Sequence, residues 1–366
     1  MKGWPEHALA AAGHPDPYPY YRALARDGWR RDEALGLWLA ASRQAVDAVL
    51  ASPACRVRPA REPVPAGSAG SALGEAFGRW LRMSDGDAHA RLRTAVGAGL
   101  AALRCDEAEQ TARRLARAFL ATSAVDGRRL DALADFLPVA TLASLLGWPE
   151  AALATAADRI ARVCRALAAD ADADAAARGR GSEACRTLLA ELAGLPAQGW
   201  LKHWQAEFSD LDDASLYANL LGILFQSRDA GAGLLSAAIA WRCKEEWDHA
   251  DPAAWRARLR QDPVLHHTRR YVEEDAVLAG QPLRAGDQVL VLLAAAAHDP
   301  AAPEQAMDFG RGRHACPGEA LALATARGAL QALEQTRPDW RALGGGITFH
   351  GPPNVRMRRF GAGERR

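Results

Sequence analysis

The segment Phe309-Gly310-Arg311-Gly312-Arg313-His314-Ala315-Cys316-Pro317-Gly318 constrains this chain more than any other stretch. It sets glycines around a single cysteine and runs directly into Glu319–Arg327, which is built of strong helix formers. Gly310, Gly312 and Gly318 carry no Cβ, so the backbone there can take unusual turns and approach a flat ligand closely. Pro317 suits a first helical turn, where its missing N–H costs nothing. Cys316 is therefore predicted at the start of a helix. Unpaired backbone N–H groups and the positive end of the helix dipole favour thiolate over thiol there. The alternative is an inert, buried cysteine beside a glycine turn.

Outside the loop, the periodicity is mostly helical. Tyr18–Arg26 after Asp16-Pro17 and Ser42–Ala51 with Ser42 as cap read as helices. Between them, Trp29–Leu35 and Gly36–Ala41 read as a hairpin. Residues 52–75 read as a loop and 76–260 as mostly helical, with breaks at Gly127, Gly147-Trp148-Pro149, Arg178–Gly181 and Gly194–Gly199. The alanine-rich 151–177 stretch is low in complexity but helical by propensity. A long apolar helix is expected over Leu216–Trp241, capped by Asp212 or Asp213. Short apolar runs separated by turns place residues 271–295, with 28–41, in a small sheet. The fold class is thus mainly α with a small β sheet, in a single domain spanning 1–366.

Charge and cysteine usage narrow the partners. Lys plus Arg is 45 and Asp plus Glu is 44, a net charge of +1, which argues against nucleic acid or an anionic membrane. The N-terminal segment does not read as a signal peptide and no run reaches the length of a membrane span, so a cytoplasmic protein is expected. Six scattered cysteines without C-x-x-C pairs suggest neither zinc nor a disulfide framework, and His266-His267 reads as a solvated or core pair.

Phe309, Gly310, Gly312, His314, Cys316 and Gly318 fit F-G-x-G-x-H-x-C-x-G, and on them the chain resembles the cytochrome P450 superfamily. The resemblance runs along nearly the whole chain, as a shortened bacterial-type member. It implies haem b held between a long distal helix and the proximal cysteine loop, which with its following helix spans 309–335, and Cys316 as the iron ligand. It places His89 and Arg93 (an H-x-x-x-R pair), Arg270 and His314 on the haem carboxylates, with Arg269 able to exchange roles with Arg270. Phe309, Gly310 and Gly318 shape the cofactor loop. Asp229, inside Phe225–Gly233, resembles the acid of the family's acid–alcohol pair; pairing with Arg228 is the alternative. The glycines beside it either leave room above the ring or allow tight helix packing.

Three departures stand out. Ala230 replaces the usual threonine of the acid–alcohol pair. Ala257 stands where the E-x-x-R glutamate belongs, three residues before Arg260; Asp251, Glu245 or Glu246 are the candidate substitutes, or Arg260 reaches solvent. The segment between Pro300 and the cysteine loop is abbreviated, with Pro303-Glu304-Gln305 as a remnant. The expected activity is monooxygenation of a small organic molecule or short peptide in secondary metabolism, with electrons from a ferredoxin or flavodoxin-like donor meeting Arg311 and Arg313. Oxidative cross-linking, peroxide-driven chemistry, or a degenerate non-catalytic haem-binding role are the alternatives.

Overall fold

The computed structural model describes residues 3–169, 174–301 and 306–361. The helices are α1 Tyr18–Asp27, α2 Arg43–Ala51, α3 Ala72–Gly78, α4 Gly86–Ala101, α5 Cys105–Leu120, α6 Gly127–Leu145 and α7 Leu153–Ala168. They continue as α8 Ala175–Gly194, α9 Gly199–Glu207, α10 Asp213–Lys244, α11 Pro252–Gln261, α12 Leu293–Ala297, α13 Glu319–Gln335 and α14 Trp340–Leu343. The strands are β1 Trp29–Asp32, β2 Leu37–Ala40, β3 Cys55–Arg56, β4 Thr268–Val272, β5 Ala276–Leu278, β6 Gln281–Leu283, β7 Gln288–Val291, β8 Thr348–Phe349 and β9 Arg358–Arg359.

Side-chain caps set several helix starts. Ser42 Oγ accepts from Ala45 N–H and opens α2; Asp212 accepts from Ser215 N–H and opens α10, so Asp212 rather than Asp213 is the cap. The main sheet runs β1-β2-β7-β4-β3. β2 pairs parallel with β7, Leu39 opposite Leu290, while β4 pairs antiparallel with β7, Arg270 opposite Val289. β4 therefore begins at Thr268, earlier than the sequence pattern indicates, and the chain has already become helical at Leu293. Val289, Leu290 and Val291 are fully buried, and their apolar run serves both faces of a covered strand.

Helix packing builds most of the core. α13 packs on α5, and the approach is close enough that a Cβ on Gly328 would lie 2.2 Å from Glu109 O. Glu109 also accepts from Arg327 Nε at 2.9 Å and Gln331 Nε2 at 2.7 Å, tying the two helices at their edge. α10 crosses the body against α6, and Pro138 of α6 sits over Gly231: a Cβ there would lie 2.6 Å from Pro138 Cβ. Gly233 is packed in the same way beneath Val355 and Val264. These glycines serve tight packing rather than open space.

Other expectations need correction. Residues 52–75 contain β3, a 3-10 turn at Ala66–Ser68 and the start of α3. Arg178–Gly181 lies inside α8, because Gly181 approaches Ala166 of α7 and is buried there instead of breaking the helix. Part of the alanine-rich stretch and the Pro303-Glu304-Gln305 remnant lie outside the described residues.

Candidate active site

The cysteine loop is a folded hairpin of backbone. Cys316 N–H donates to Phe309 O at 2.7 Å, Gly310 N–H to Met307 O at 2.9 Å, and Ala315 N–H to Gly312 O at 3.0 Å. Gly310 and Gly312 have φ of +66° and +68°, so glycine is required at both. Gly318 has an ordinary φ of −102° and is the N-cap of α13, which puts Pro317 just outside the helix rather than in its first turn. Phe309 packs half-buried against the main core.

Cys316 keeps accessible surface, yet it is enclosed: burial is the strongest influence on its thiol and pushes the pKa up. The Gly318 N–H, Arg82 and Arg93 pull the other way, and Glu319 adds to the rise. The helix start therefore helps the thiolate without overcoming burial. Accessible surface on an enclosed group marks the wall of an internal space. Arg82, in the 3-10 turn Leu81–Met83, has the same character. On α10, every residue from Ser215 to Cys243 is buried or half-buried except Ala230, whose small side chain leaves the middle of the helix open.

Cations gather at one edge of this space. Arg93 of α4 donates to Ala315 O in the cysteine loop. Arg270 of β4 is buried, donating to Arg269 O at 2.8 Å and Thr268 Oγ1 at 3.2 Å; Arg269 points outward to Gln288. Burial, with Arg82 and Arg313 nearby, lowers the Arg270 guanidinium to about 10. The His89 and His314 rings lie 4.2 Å apart. Burial and then the neighbouring His314 hold His89 down to about 4, and its Nε2 is buried without a hydrogen-bond partner.

Asp85, immediately before α4, organises this edge and has no counterpart in the sequence-based site. It accepts from Val57 N–H at 2.9 Å, lies 3.2 Å from His314 Nε2 and 3.8 Å from Arg313 Nε. Burial alone would raise its carboxyl; these partners more than offset that and hold it below the usual range. Arg82 was also missed. The available signal was position: both residues precede His89 by less than two helical turns.

Asp229 pairs with Arg228, its neighbour on α10. Ser227 Oγ donates to Leu224 O at 2.8 Å, so its hydroxyl is committed to the helix backbone. Arg313 does not face outward for a partner: its guanidinium binds Ala51 O, Ser52 O at 2.9 Å and Cys55 O at 2.7 Å, closing the C-terminus of α2. Arg311 lies 3.6 Å from Asp47.

Glu245 is taken by Arg258, and Asp251 caps α11, so two of the proposed substitutes for the missing glutamate are committed elsewhere. A different acid dominates the region. Asp262 meets Arg356 Nε at 3.3 Å and Arg358, and accepts from Trp241 Nε1 at 2.9 Å and from the Tyr18 hydroxyl. His266 binds Tyr21 and Pro263 O and His267 binds Pro353 O, which makes them core histidines.

No family model matches the chain. It is 28% identical over 358 residues to cytochrome P450 123 of Mycobacterium tuberculosis, covering 87% of each chain. A shorter match, 39% identical over 109 residues, covers 25% of this chain and 29% of cytochrome P450 105C1 of a Streptomyces species. The solved structure of CalO2 superposes with a TM-score of 0.76 at 26% identity, covering 94% of both chains. Epothilone B-bound cytochrome P450epoK superposes with a TM-score of 0.75 at 20% identity, covering 95% of this chain and 97% of that one. The chain belongs to the cytochrome P450 superfamily, as a bacterial-type member. Its activity class is that of the family, haem-thiolate monooxygenation, and its cofactor is haem, held in this fold between the long distal helix and the cysteine loop.

The residues present fit that cofactor. A sulfur lies on the wall of an enclosed space, a buried imidazole nitrogen lacks a partner, and arginines outnumber acids at one edge. The deficit is of negative charge, which two porphyrin carboxylates would supply. No helix among the described residues is long and apolar enough to cross a membrane.

Proposed function

We propose that this protein is a cytoplasmic monooxygenase of a small organic molecule or short peptide in secondary metabolism, working as one unit over 1–366, with haem b bound through Cys316. The observation that carries the assignment is the joint enclosure of Cys316, Arg82 and the arginine-rich edge. When bound, haem supplies dioxygen activation, which a cysteine sulfur favours by donating electron density.

The protein's own residues have distinct tasks. Cys316 contributes its sulfur as thiolate; burial opposes that charge, so metal binding would secure the deprotonated form. The Gly318 N–H aimed at the sulfur tempers its donation. Arg93 and Arg270 hold the two carboxylates, with His89 and His314 as further hydrogen-bond partners. Asp85 orients His314, and Phe309 with Gly310 keeps the loop closed. Asp229 can move a proton toward the cavity only when its pair with Arg228 opens. Ala230 offers no hydroxyl and Ser227 is bound to its own helix, so the last proton carrier is water or a group on the substrate.

That last point favours a second chemistry, oxidative coupling or peroxide-driven oxidation, over a third in which the protein binds haem without turnover. Electrons for the first chemistry come from a ferredoxin or flavodoxin-like donor. Arg311, which lies 3.6 Å from Asp47, and Arg313, whose guanidinium binds backbone carbonyls, both sit on the loop that this donor would approach. Turnover of a compound library with reduced ferredoxin, and separately with hydrogen peroxide, tests the assignment. Product formed only with ferredoxin supports monooxygenation, product formed only with peroxide supports the second chemistry, and neither, in protein that holds haem, overturns the enzymatic assignment.

A further inference from the structure

Arg82 is held out from an unusually fixed platform. Trp80, two residues earlier, is fully buried, and its ring stacks on Phe225 of α10 with centroids 4.6 Å apart. Gly222 lies so close beneath that ring that a Cβ would come to 3.0 Å. Asn219, one helical turn earlier on α10 and buried, clamps the backbone: its Oδ1 accepts from Leu81 N–H at 2.8 Å and its Nδ2 donates to Arg79 O at 2.9 Å. The backbone leading to Arg82 is therefore pinned directly to the distal helix.

The side chain that this platform presents has no protein partner. Among the described residues Arg82 makes no hydrogen bond and no ion pair, although burial acts strongly on it and pulls its guanidinium below the ordinary arginine range. Cys316 is the one neighbour whose thiolate form would oppose this fall. Arg82 keeps accessible surface although it is enclosed, and an enclosed cation without a partner is costly unless something neutralises it.

The arginines nearby can be counted against the acids. Arg313 faces Asp85. Arg93 and Arg270 are two fixed charges for the two haem carboxylates. Arg82 is the surplus positive charge, and the turn that carries it is fixed to α10 through Trp80 on Phe225 and through Asn219. A guanidinium fork matches a carboxylate in a bidentate pair, and half-buried Phe225, on the helix that holds this turn, offers apolar surface for the rest of such a molecule.

We propose that Arg82 is a substrate-anchoring residue and that the substrate carries a carboxylate on an apolar body. The inference rests on the haem-site assignment made above. Its test uses the haem-loaded protein and three acids, naphthalene-2-carboxylate, 4-phenylbutyrate and decanoate, each beside its methyl ester. Binding is measured by equilibrium dialysis and by the shift of the Soret band. Haem content and the rate of haem transfer to apomyoglobin are recorded on the same samples.

At least one acid should bind tenfold or more tightly than its ester. Arg82→Gln should lose that preference and leave the ester unchanged, Arg82→Lys should keep part of it, and haem transfer should stay at the wild-type rate in both. Equal binding of acids and esters, no binding by any acid, or an unchanged preference in Arg82→Gln would each overturn the proposal. Faster haem loss in Arg82→Gln with acid affinity unchanged would also overturn it, by assigning Arg82 to the cofactor. Failure of the wild-type protein to hold haem would overturn the haem-site assignment instead, and dialysis of the acids against that protein would still decide the role of Arg82.

Discussion

Asp262 offers the sharpest test of how this fold keeps two arginines buried. Arg356 and Arg358 are 3% and 2% exposed, and Asp262 is the acid that both of them meet. Asp262→Asn keeps the shape and the bonds to Trp241 and Tyr18 within reach, but removes the charge. Breaking a buried pair by removing one partner costs about 3–5 kcal/mol, because the remaining charge stays buried. Two stranded guanidiniums place the expected loss at about the upper half of that range. Unfolding entropy of about 2.1 cal/mol/K per residue turns such a loss into a fall of about 5–6 °C in Tm for a chain of this length. The assay is urea unfolding of the haem-loaded protein, followed by tryptophan fluorescence and by the Soret band. Replacing the group together, Asp262→Leu with Arg356→Met and Arg358→Leu, should recover much of the loss. Burial by itself would raise this carboxyl, but Arg358 and Arg356 win and hold it below the usual range. Its stabilisation is thus present above the unfolded value of about 3.9 and lost as pH falls through the depressed folded value. An Asp262→Asn midpoint within about 1 kcal/mol of wild type at neutral pH would refute the reasoning.

Asp308 behaves oppositely: burial pushes its carboxyl up to about 7, so its contribution is full below the unfolded value and disappears as pH rises through 7. Asp308→Asn keeps an acceptor for Val264 N–H and should unfold at higher urea than wild type at pH 8.5 but not at pH 5, a crossover that urea melts at both values would detect. Gly233→Val should cost about 1–3 kcal/mol by overpacking against Val355 and Val264, measured by the same melts. Ala230→Thr points into open space and should change stability by less than about 0.5 kcal/mol; if proton supply limits turnover, it should raise the product formed per electron pair consumed. His89→Ala should speed haem transfer to apomyoglobin several-fold while leaving the thiolate spectrum in place.

Much of the fold was legible because local chemistry and final structure agree. Ser42 and Asp212 announce helix starts and then serve as caps, and the Leu35-Gly36 turn closes the hairpin it suggests. The cysteine loop was legible for the same reason: Gly310 and Gly312 occupy positive φ, which the spacing alone suggests. Long-range packing was not legible. Gly181 reads as a break, and for Gly231 and Gly233 the sequence leaves open space and tight packing undecided; each sits against a neighbour distant in sequence, Ala166, Pro138 or Val355. Asp85 and Arg82 carry no signal beyond their position before His89, because nothing local distinguishes an acid or arginine that faces a cavity from one that faces water. Arg313 misled for a related reason, since its three carbonyl partners lie at the end of α2 and in β3, more than 250 residues earlier. Asp262 drew no attention because its cations, Arg356 and Arg358, lie almost 100 positions away.

The central claim is that Cys316 presents a thiolate to haem iron. The most direct test is the absorption difference spectrum of the haem-loaded, reduced protein with carbon monoxide, taken on wild type and on Cys316→Ser. The account predicts a strongly red-shifted Soret band in wild type and its disappearance in Cys316→Ser. A wild-type protein that binds haem without that band, or a Cys316→Ser variant that keeps it, would contradict the account.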